Sequence, residues 1–408
     1  MTMLPMMVAL YGLALANIFI RSTMGVLAPE LAADLALSPR MLGLIASAFF
    51  LSYALMQIPT GMLLDRFGPR RTVTGLFLFT VGGSFLFAAA SSGPAMLLAR
   101  VMMGVGCAGI FAGGFVVISR FYPSDRFASI GGTWNAFAML GTFLATAPLA
   151  ALVALTGWRM GFVAIGAVIA AIALLTGLAL RDQPPGVDPA SAPQTRESLA
   201  DIFAGLAEVV RIRGILAIAS GGMALSAGNT ILGIWGGPYL NDVHGLDQVG
   251  RGQVLLFMAF GGVAGHFLYG QAARLFNTLK YLVLAGAAGI CAIMTTLALL
   301  PAPGLVTVTV LLALLGLSCG FPTILLAHGR ALVPDRLVGR GIATVNTGVM
   351  VSVALMQVAI GALIGSVAST ADGQASPEGY RVAFGFIAVM AVITILIYAT
   401  TPDRKPRG

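Results

Sequence analysis

Apolar runs of about 20 residues recur from one end of the chain to the other, and they fix the solvent in which it folds. Each run is long enough to cross about 30 Å of hydrocarbon as a helix. Charge is too scarce for a water-soluble surface, at 9% of 408 residues against 58% hydrophobic. In lipid every backbone group must find a partner within the chain, so the runs are predicted to be helices. They fall near 5–28, 41–64, 72–90, 94–118, 127–153 and 160–180, then near 214–238, 250–273, 280–300, 304–327, 341–366 and 381–401. The expected fold is an all-α polytopic membrane protein with 12 transmembrane helices. The first run, from Leu4 to about Ala28, is too long for a signal-peptide core and lacks a small-residue cleavage site, so it reads as a retained helix.

Placing the N-terminus in the cytoplasm leaves 17 of the 23 Lys and Arg on that side, 4 outside (Arg40, Arg159, Arg251, Arg381) and 2 within helices (Arg21, Arg100). Such an excess of inner cations orients a membrane protein, with both termini cytoplasmic in a bacterial-type inner membrane. The net charge of +8 is read as this orientation signal and not as a nucleic-acid footprint. Cys107, Cys291 and Cys319 all lie inside apolar runs and imply neither a disulfide framework nor a metal site. The polar stretch 181–213, opening with DQPPGVDPASAP, reads as a cytoplasmic linker between domains 1–180 and 214–408.

The two domains repeat one another. GWRMGF at Gly157 to Phe162 returns as GYRVAF at Gly379 to Phe384, opening the sixth and twelfth runs. RFYPSDRFASIGGTWN after the fourth run returns as RALVPDRLVGRGIATVN after the tenth. Arg120 then pairs with Arg330, Asp125 and Arg126 with Asp335 and Arg336, and Asn135 with Asn346 after one residue of slippage. Matches in the same order in both halves point to duplication, the plan on which many carriers are built.

Between the second and third runs stands GMLLDRFGPRR, from Gly61 to Arg71. Gly61 would permit close helix approach, Asp65 sits at a helix end among guanidinium partners, and Gly68 with Pro69 makes the turn. This loop resembles the signature of the major facilitator superfamily, matching at Gly61, Asp65, Arg66, Gly68, Arg70 and Arg71. RVMMGVG, Arg100 to Gly106, is similar to that family's arginine-bearing fourth-helix motif. The second-half counterpart, GQAARLFNTLK, keeps the glycine and two cations but lacks the aspartate. The helix-five motif of antiporters is poorly matched, since Ala147 precedes Pro148 where the pattern has glycine. The resemblance implies two pseudo-symmetric six-helix bundles with a solute cavity lined by helices one, two, five, seven, eight and eleven.

Ionisable side chains at membrane depth are costly and are functional candidates for that reason. Arg21 and Arg100 each lie six or seven residues inside the outer end of their run. At about 1.5 Å per residue both sit roughly 10 Å below the outer surface. Two guanidiniums at one level can clamp a carboxylate or another anion. The competing readings are packing against helix carbonyls for Arg100 and outward snorkelling for Arg21. No acidic residue lies mid-membrane, which leaves Glu30, just outside the first run, and His266 as candidates for a titrating group. A lone histidine also serves as a neutral hydrogen-bonding residue. Asn17, Tyr53, Gln57, Asn135, Asn229, Asn346 and Gln357 are further lining candidates, each of which alone reads as a helix-to-helix hydrogen bond. Trp158, Trp235 and Tyr239 sit at run ends and read as interfacial anchors.

A cavity carrying positive charge attracts anions. The expected function is secondary active transport of a small organic anion, such as a carboxylate, by rocker-switch alternating access. Arg21 would anchor the charge, with Arg100, Glu30 and the signature-loop residues in coupling and gating. The partners would be that solute, a co-transported proton or counter-anion, and the lipid bilayer. Neither nucleic acid nor a cofactor is expected, and the chain is read as a monomer. One alternative is a proton-coupled exporter of drug-like hydrophobic compounds. Another is a carrier-like scaffold that senses or assembles with partners, for which the tail TPDRKPRG is short. The absence of a nucleophile with a base, or of a metal ligand set, at usable spacing argues against an enzyme.

Overall fold

The computed structural model describes residues 3–183, 199–334, 337–367 and 375–403, and the described residues are helical without strands. Part of the predicted linker, 184–198, lies outside them, as do Asp335, Arg336 and the Asp125 side chain of the repeat. Ten helices or helix pairs are long and apolar enough to cross a membrane, and the shorter apolar helix Pro39–Leu55 accompanies them. The protein is a multi-pass membrane protein.

In chain order the first helices are α1 (Leu4–Ser22), α2 (Met24–Leu35), α3 (Pro39–Leu55), α4 (Gln57–Ala89), α5 (Gly93–Cys107), α6 (Gly109–Phe121), α7 (Ser124–Ala138), α8 (Leu140–Leu144) and α9 (Ala147–Ala179). After α10 (Leu199–Arg211) come α11 (Ile215–Ala219), α12 (Gly221–Thr230), a π-helical turn at Ile231–Trp235, and α13 (Gly236–Asp242). The remainder is α14 (Gln248–Phe276), α15 (Lys280–Leu299), α16 (Leu305–Ser318), α17 (Pro322–Leu332), α18 (Val338–Ser366) and α19 (Pro377–Tyr398).

Predicted runs and observed helices differ where glycine bends the backbone without ending it. The second and third runs share α4, interrupted at Gly68 (φ 76°, ψ 167°), and the fifth and sixth share α9, interrupted at Gly157 (φ 74°, ψ 158°). Both conformations lie in the region that glycine alone enters cheaply. The break at Gly68 is the turn that the signature loop predicts.

The chain forms two compact units. The first holds Met1–Thr23 and Ala48–Glu197, the second Met24–Ser47 and Ser198–Gly408. In the first, α4 packs on α5 and α9, while α1 packs on α7, α8 and α9. In the second, α14 packs on α16, α15 on α19 and α12 on α18, with α2 laid against the π-helical turn and α13.

Each unit repeats two polar devices, which gives the sequence duplication a physical meaning. Arg159 donates to the carbonyl of Ala90 that closes α4, at 3.3 Å, and its repeat partner Arg381 donates to Ala298 near the end of α15, at 2.8 Å. A cation thereby caps the third long helix of each unit, where the helix dipole favours it. At the opposite ends, an aspartate from beyond the last helix caps the same helix. Asp182 accepts from the Arg70 backbone N–H at 2.8 Å, and Asp403 accepts from Lys280 N–H at 3.1 Å and Leu279 N–H at 3.3 Å. The basic side chains then reach carbonyls of that last helix segment, Arg70 to Gly177 at 2.7 Å and Lys280 to Ala399 at 2.6 Å. The second signature loop has lost its own aspartate yet retains this clasp.

Candidate functional site

The polar centre of the first unit is built around an interruption in the first run. α1 stops at Ser22 and α2 begins at Met24. The carbonyl of Ile20 there accepts from the Thr23 hydroxyl at 3.0 Å and from Arg100 Nη1 at 3.0 Å. Arg100 lies on α5, is 1% exposed and stacks over Phe49 at 4.7 Å. Buried guanidinium survives at this depth because a carbonyl and an aromatic face replace part of its hydration. Its Nε remains without a partner.

Arg21, the next residue after that carbonyl, lies over Phe50 at 5.7 Å and within electrostatic reach of Tyr53 and Cys107. Phe49, Phe50 and Tyr53 form a ring cluster on α3, with Phe49 stacked on Tyr53 at 6.2 Å and edge-on to Phe50 at 5.5 Å. Gln57 follows one turn on, with its side-chain nitrogen buried and unpaired. Asn17 donates to the Cys107 carbonyl at 2.9 Å and leaves its Oδ1 buried and unpaired. The structure therefore gathers Asn17, Arg21, Tyr53, Gln57 and Arg100. Arg100 reaches backbone, so its direct work is to hold the residue that precedes Arg21.

The RVMMGVG motif explains how α5 comes close enough. A Cβ at Gly104 would collide with the Ser52 hydroxyl and the Phe49 carbonyl, and one at Gly106 would lie 2.5 Å from the Thr80 nitrogen. Asn135 on α7 is half-buried, beside Trp134, whose indole N–H donates to Leu10 at 2.8 Å.

The signature loop lies apart from this centre, at the turn within α4. Arg66 stacks over Phe67 at 5.3 Å, Arg71 is exposed and Arg70 is tied to α9 as described. Gly61 departs from its expected role: a Cβ there would meet nothing within 4 Å. Close packing falls instead on Gly68, where a Cβ would lie 2.6 Å from the Asp182 carboxylate.

In the second unit the predicted lining residues are amides and one histidine. Gln357 on α18 is fully buried and donates to the Asn229 carbonyl at 3.4 Å, with its own oxygen unpaired. It faces the π-helical turn, a feature often found at functional sites. His266 is half-buried and Nδ1 contacts the Gly262 carbonyl of its own helix at 2.8 Å. Asn346 on α18 is half-buried.

One expectation fails here. Trp235 is 1% exposed and Tyr239 is buried against Tyr380 and Phe384, so both pack inside the unit and not at an interface with lipid headgroups. Arg251, counted on the outer side and falling at the start of the predicted run 250–273, is helical and buried. It stands in the first turn of α14, 2% exposed, paired with the Glu30 carboxylate and donating to Asn241 at 3.0 Å. Its position four residues after the helix-capping Asp247 is the signal that marks it as helical.

Similarity to known proteins agrees with this construction. Residues 10–356 match the Major Facilitator Superfamily. A protein of Agrobacterium vitis named for tartrate transport is 26% identical, covering 98% of this chain and 94% of its own length. Over shorter spans the chain is 29% identical to a protein of Cupriavidus necator named for sulfoacetate transport, covering 43% of this chain and 41% of that one. It is 32% identical to a quinolone resistance transporter of Acinetobacter baumannii, covering 44% of this chain and 42% of that one. The chain thus spans less than half the length of the latter two relatives. The crystal structure of a bacterial homolog of the human lysosomal transporter Spinster, inward-facing and occupied, superimposes with a TM-score of 0.79 over 96% of this chain and 95% of that one, at 18% identity, a likeness of fold. The family match across most of the chain makes this protein a member of the major facilitator superfamily.

Proposed function

We propose that the protein carries a small organic anion across the membrane by alternating access, with Arg21 as the charge anchor. The observation that carries this reading is that Arg100 donates to the Ile20 carbonyl and stacks over Phe49, which fixes the backbone beside a second embedded cation, Arg21. A charge held at such depth costs several kcal/mol unless it is used. A carboxylate or sulfonate that enters can form short, charge-assisted hydrogen bonds with a guanidinium. Tyr53, Gln57 and Asn17 offer neutral groups for orienting it. The names of the tartrate and sulfoacetate relatives support an organic acid as cargo.

A thermal-shift panel of carboxylates, sulfonates, sugars and quinolones on the detergent-purified protein tests the reading. A ligand at 100 times its Kd adds about 2.7 kcal/mol to apparent stability. Organic acids should raise the melting temperature in wild type and lose that effect in Arg21→Gln. Export of drug-like compounds is the second reading, favoured by the quinolone resistance relative. A shift produced by quinolones and not by simple organic acids would select it.

A further inference from the structure

We infer that Arg251 is a carboxylate-binding site at the outer face, which the chain fills with its own Glu30 while the segment Met24–Ser47 is docked against the second unit. The inference rests on the organic-anion reading and adds to it a second point of contact for the cargo.

The pair is incomplete on both sides. Arg251 gives one Nη to Glu30 and the other to Asn241, yet its Nε is buried with no partner, and Glu30 Oε2 is likewise buried with none. A guanidinium presents a planar fork that a free carboxylate engages with both oxygens. Glu30 is carried on α2 and uses one oxygen only. The site is thus built for an anion with more freedom than the residue that occupies it. Asn241 in turn donates to Asp242 at 2.9 Å, and Asp242 accepts from the Tyr380 hydroxyl at 2.7 Å, so Arg251 is held from behind by a fixed chain of partners.

The resident carboxylate sits on a removable element. Met24–Ser47 belongs by its contacts to the second unit, while the residues before and after it belong to the first. It docks by backbone approach at glycines. A Cβ at Gly43 would lie 2.5 Å from the Gln357 carbonyl and one at Gly361 would lie 2.7 Å from the Pro39 carbonyl, and Gly25 and Gly237 meet in the same way. Small residues there let the backbones approach closely. Alternating access requires the segment to leave the second unit, and Glu30 leaves with it. Arg251 would then keep one amide and no anion, an arrangement that is strongly destabilising for a buried charge. A carboxylate arriving from the outer side replaces Glu30, which ties opening on that side to the arrival of the cargo.

The test is the Michaelis constant for tartrate measured from each face, in right-side-out and inside-out vesicles, for wild type, Glu30→Gln, Arg251→Gln and Arg251→Lys. Removing the resident carboxylate should lower the outer-face KM, and Arg251→Gln should raise it by at least about tenfold, the scale of one charge-assisted hydrogen bond. Arg251→Lys should recover part of that loss, and the inner-face KM should move less in every variant. Outer-face constants unchanged in both Glu30→Gln and Arg251→Gln, or equal shifts at both faces, would leave the pair a structural tie and overturn the inference. Absence of tartrate transport in wild type would instead overturn the organic-anion reading for this class of cargo, and the inference with it.

Discussion

Replacing Arg100 by lysine separates holding the site from binding the cargo. The variant keeps the charge but cannot both stack flat over Phe49 at 4.7 Å and reach the Ile20 carbonyl at 3.0 Å. A charged hydrogen bond contributes about 1.5–3 kcal/mol, and a desolvated cation–π contact about 0.5–2 kcal/mol, part of which lysine retains. The expected loss is about 2–4 kcal/mol. For a helical unit of this size that lowers an apparent melting temperature by about 5–15 °C. Purified variants should be compared by thermal melting and by transport kinetics in liposomes. Arg100→Lys should melt early and lose maximal rate, with KM within about threefold of wild type. Arg21→Lys should raise KM by at least about tenfold with little change in melting. If Arg100→Lys melts like wild type and raises KM as Arg21→Lys does, then Arg100 contacts cargo directly and the positioning role is wrong.

Three further outcomes follow from the geometry. Gly104→Ala places a methyl against Ser52 and the Phe49 carbonyl, and overpacking there should cost about 1–3 kcal/mol, read as a lower melting temperature and a shifted Arg100 environment. Asp182→Ala removes the acceptor for the Arg70 N–H and should cost about 1 kcal/mol, the scale of a helix cap, while Asp403→Ala should do the same to the start of α15. His244 lies in the loop before α14, its ring edge-on to Tyr239 at 5.2 Å, and burial lowers its pKa. The neutral ring is therefore favoured in the folded state, so its contribution is present above the unfolded pKa and is lost as pH falls. His244→Gln should flatten the melting-temperature profile below about pH 6.5.

The helices were legible because spanning lipid leaves the chain few options, and the turn at Gly68 because glycine and proline mark a bend on their own. The level shared by Arg21 and Arg100 could be counted along two helices. What Arg100 bonds could not, since Ile20 is an apolar residue whose role is played by its carbonyl after a helix interruption at Thr23 that no side chain announces. The burial of Arg251 was not legible because a cation in the first turn of a helix counts like an exposed one in a charge tally, and its partner lies 221 residues away. Trp235 was misread for the same reason, as position along a run says nothing about which face is covered. Asp182 and Asp403 looked like linker and tail acids, and their capping role is visible only once each last helix returns beside the third. Gly61 shows the converse error, a motif glycine assumed to be tightly packed that has open space around it.

The most direct test of anion carriage through Arg21 is uptake of labelled tartrate into liposomes holding the purified protein, competed by unlabelled tartrate or by its uncharged diamide. Charge recognition predicts that tartrate competes, that the diamide does not, and that Arg21→Gln abolishes saturable uptake. Equal competition by the diamide, or saturable uptake surviving in Arg21→Gln, would contradict it.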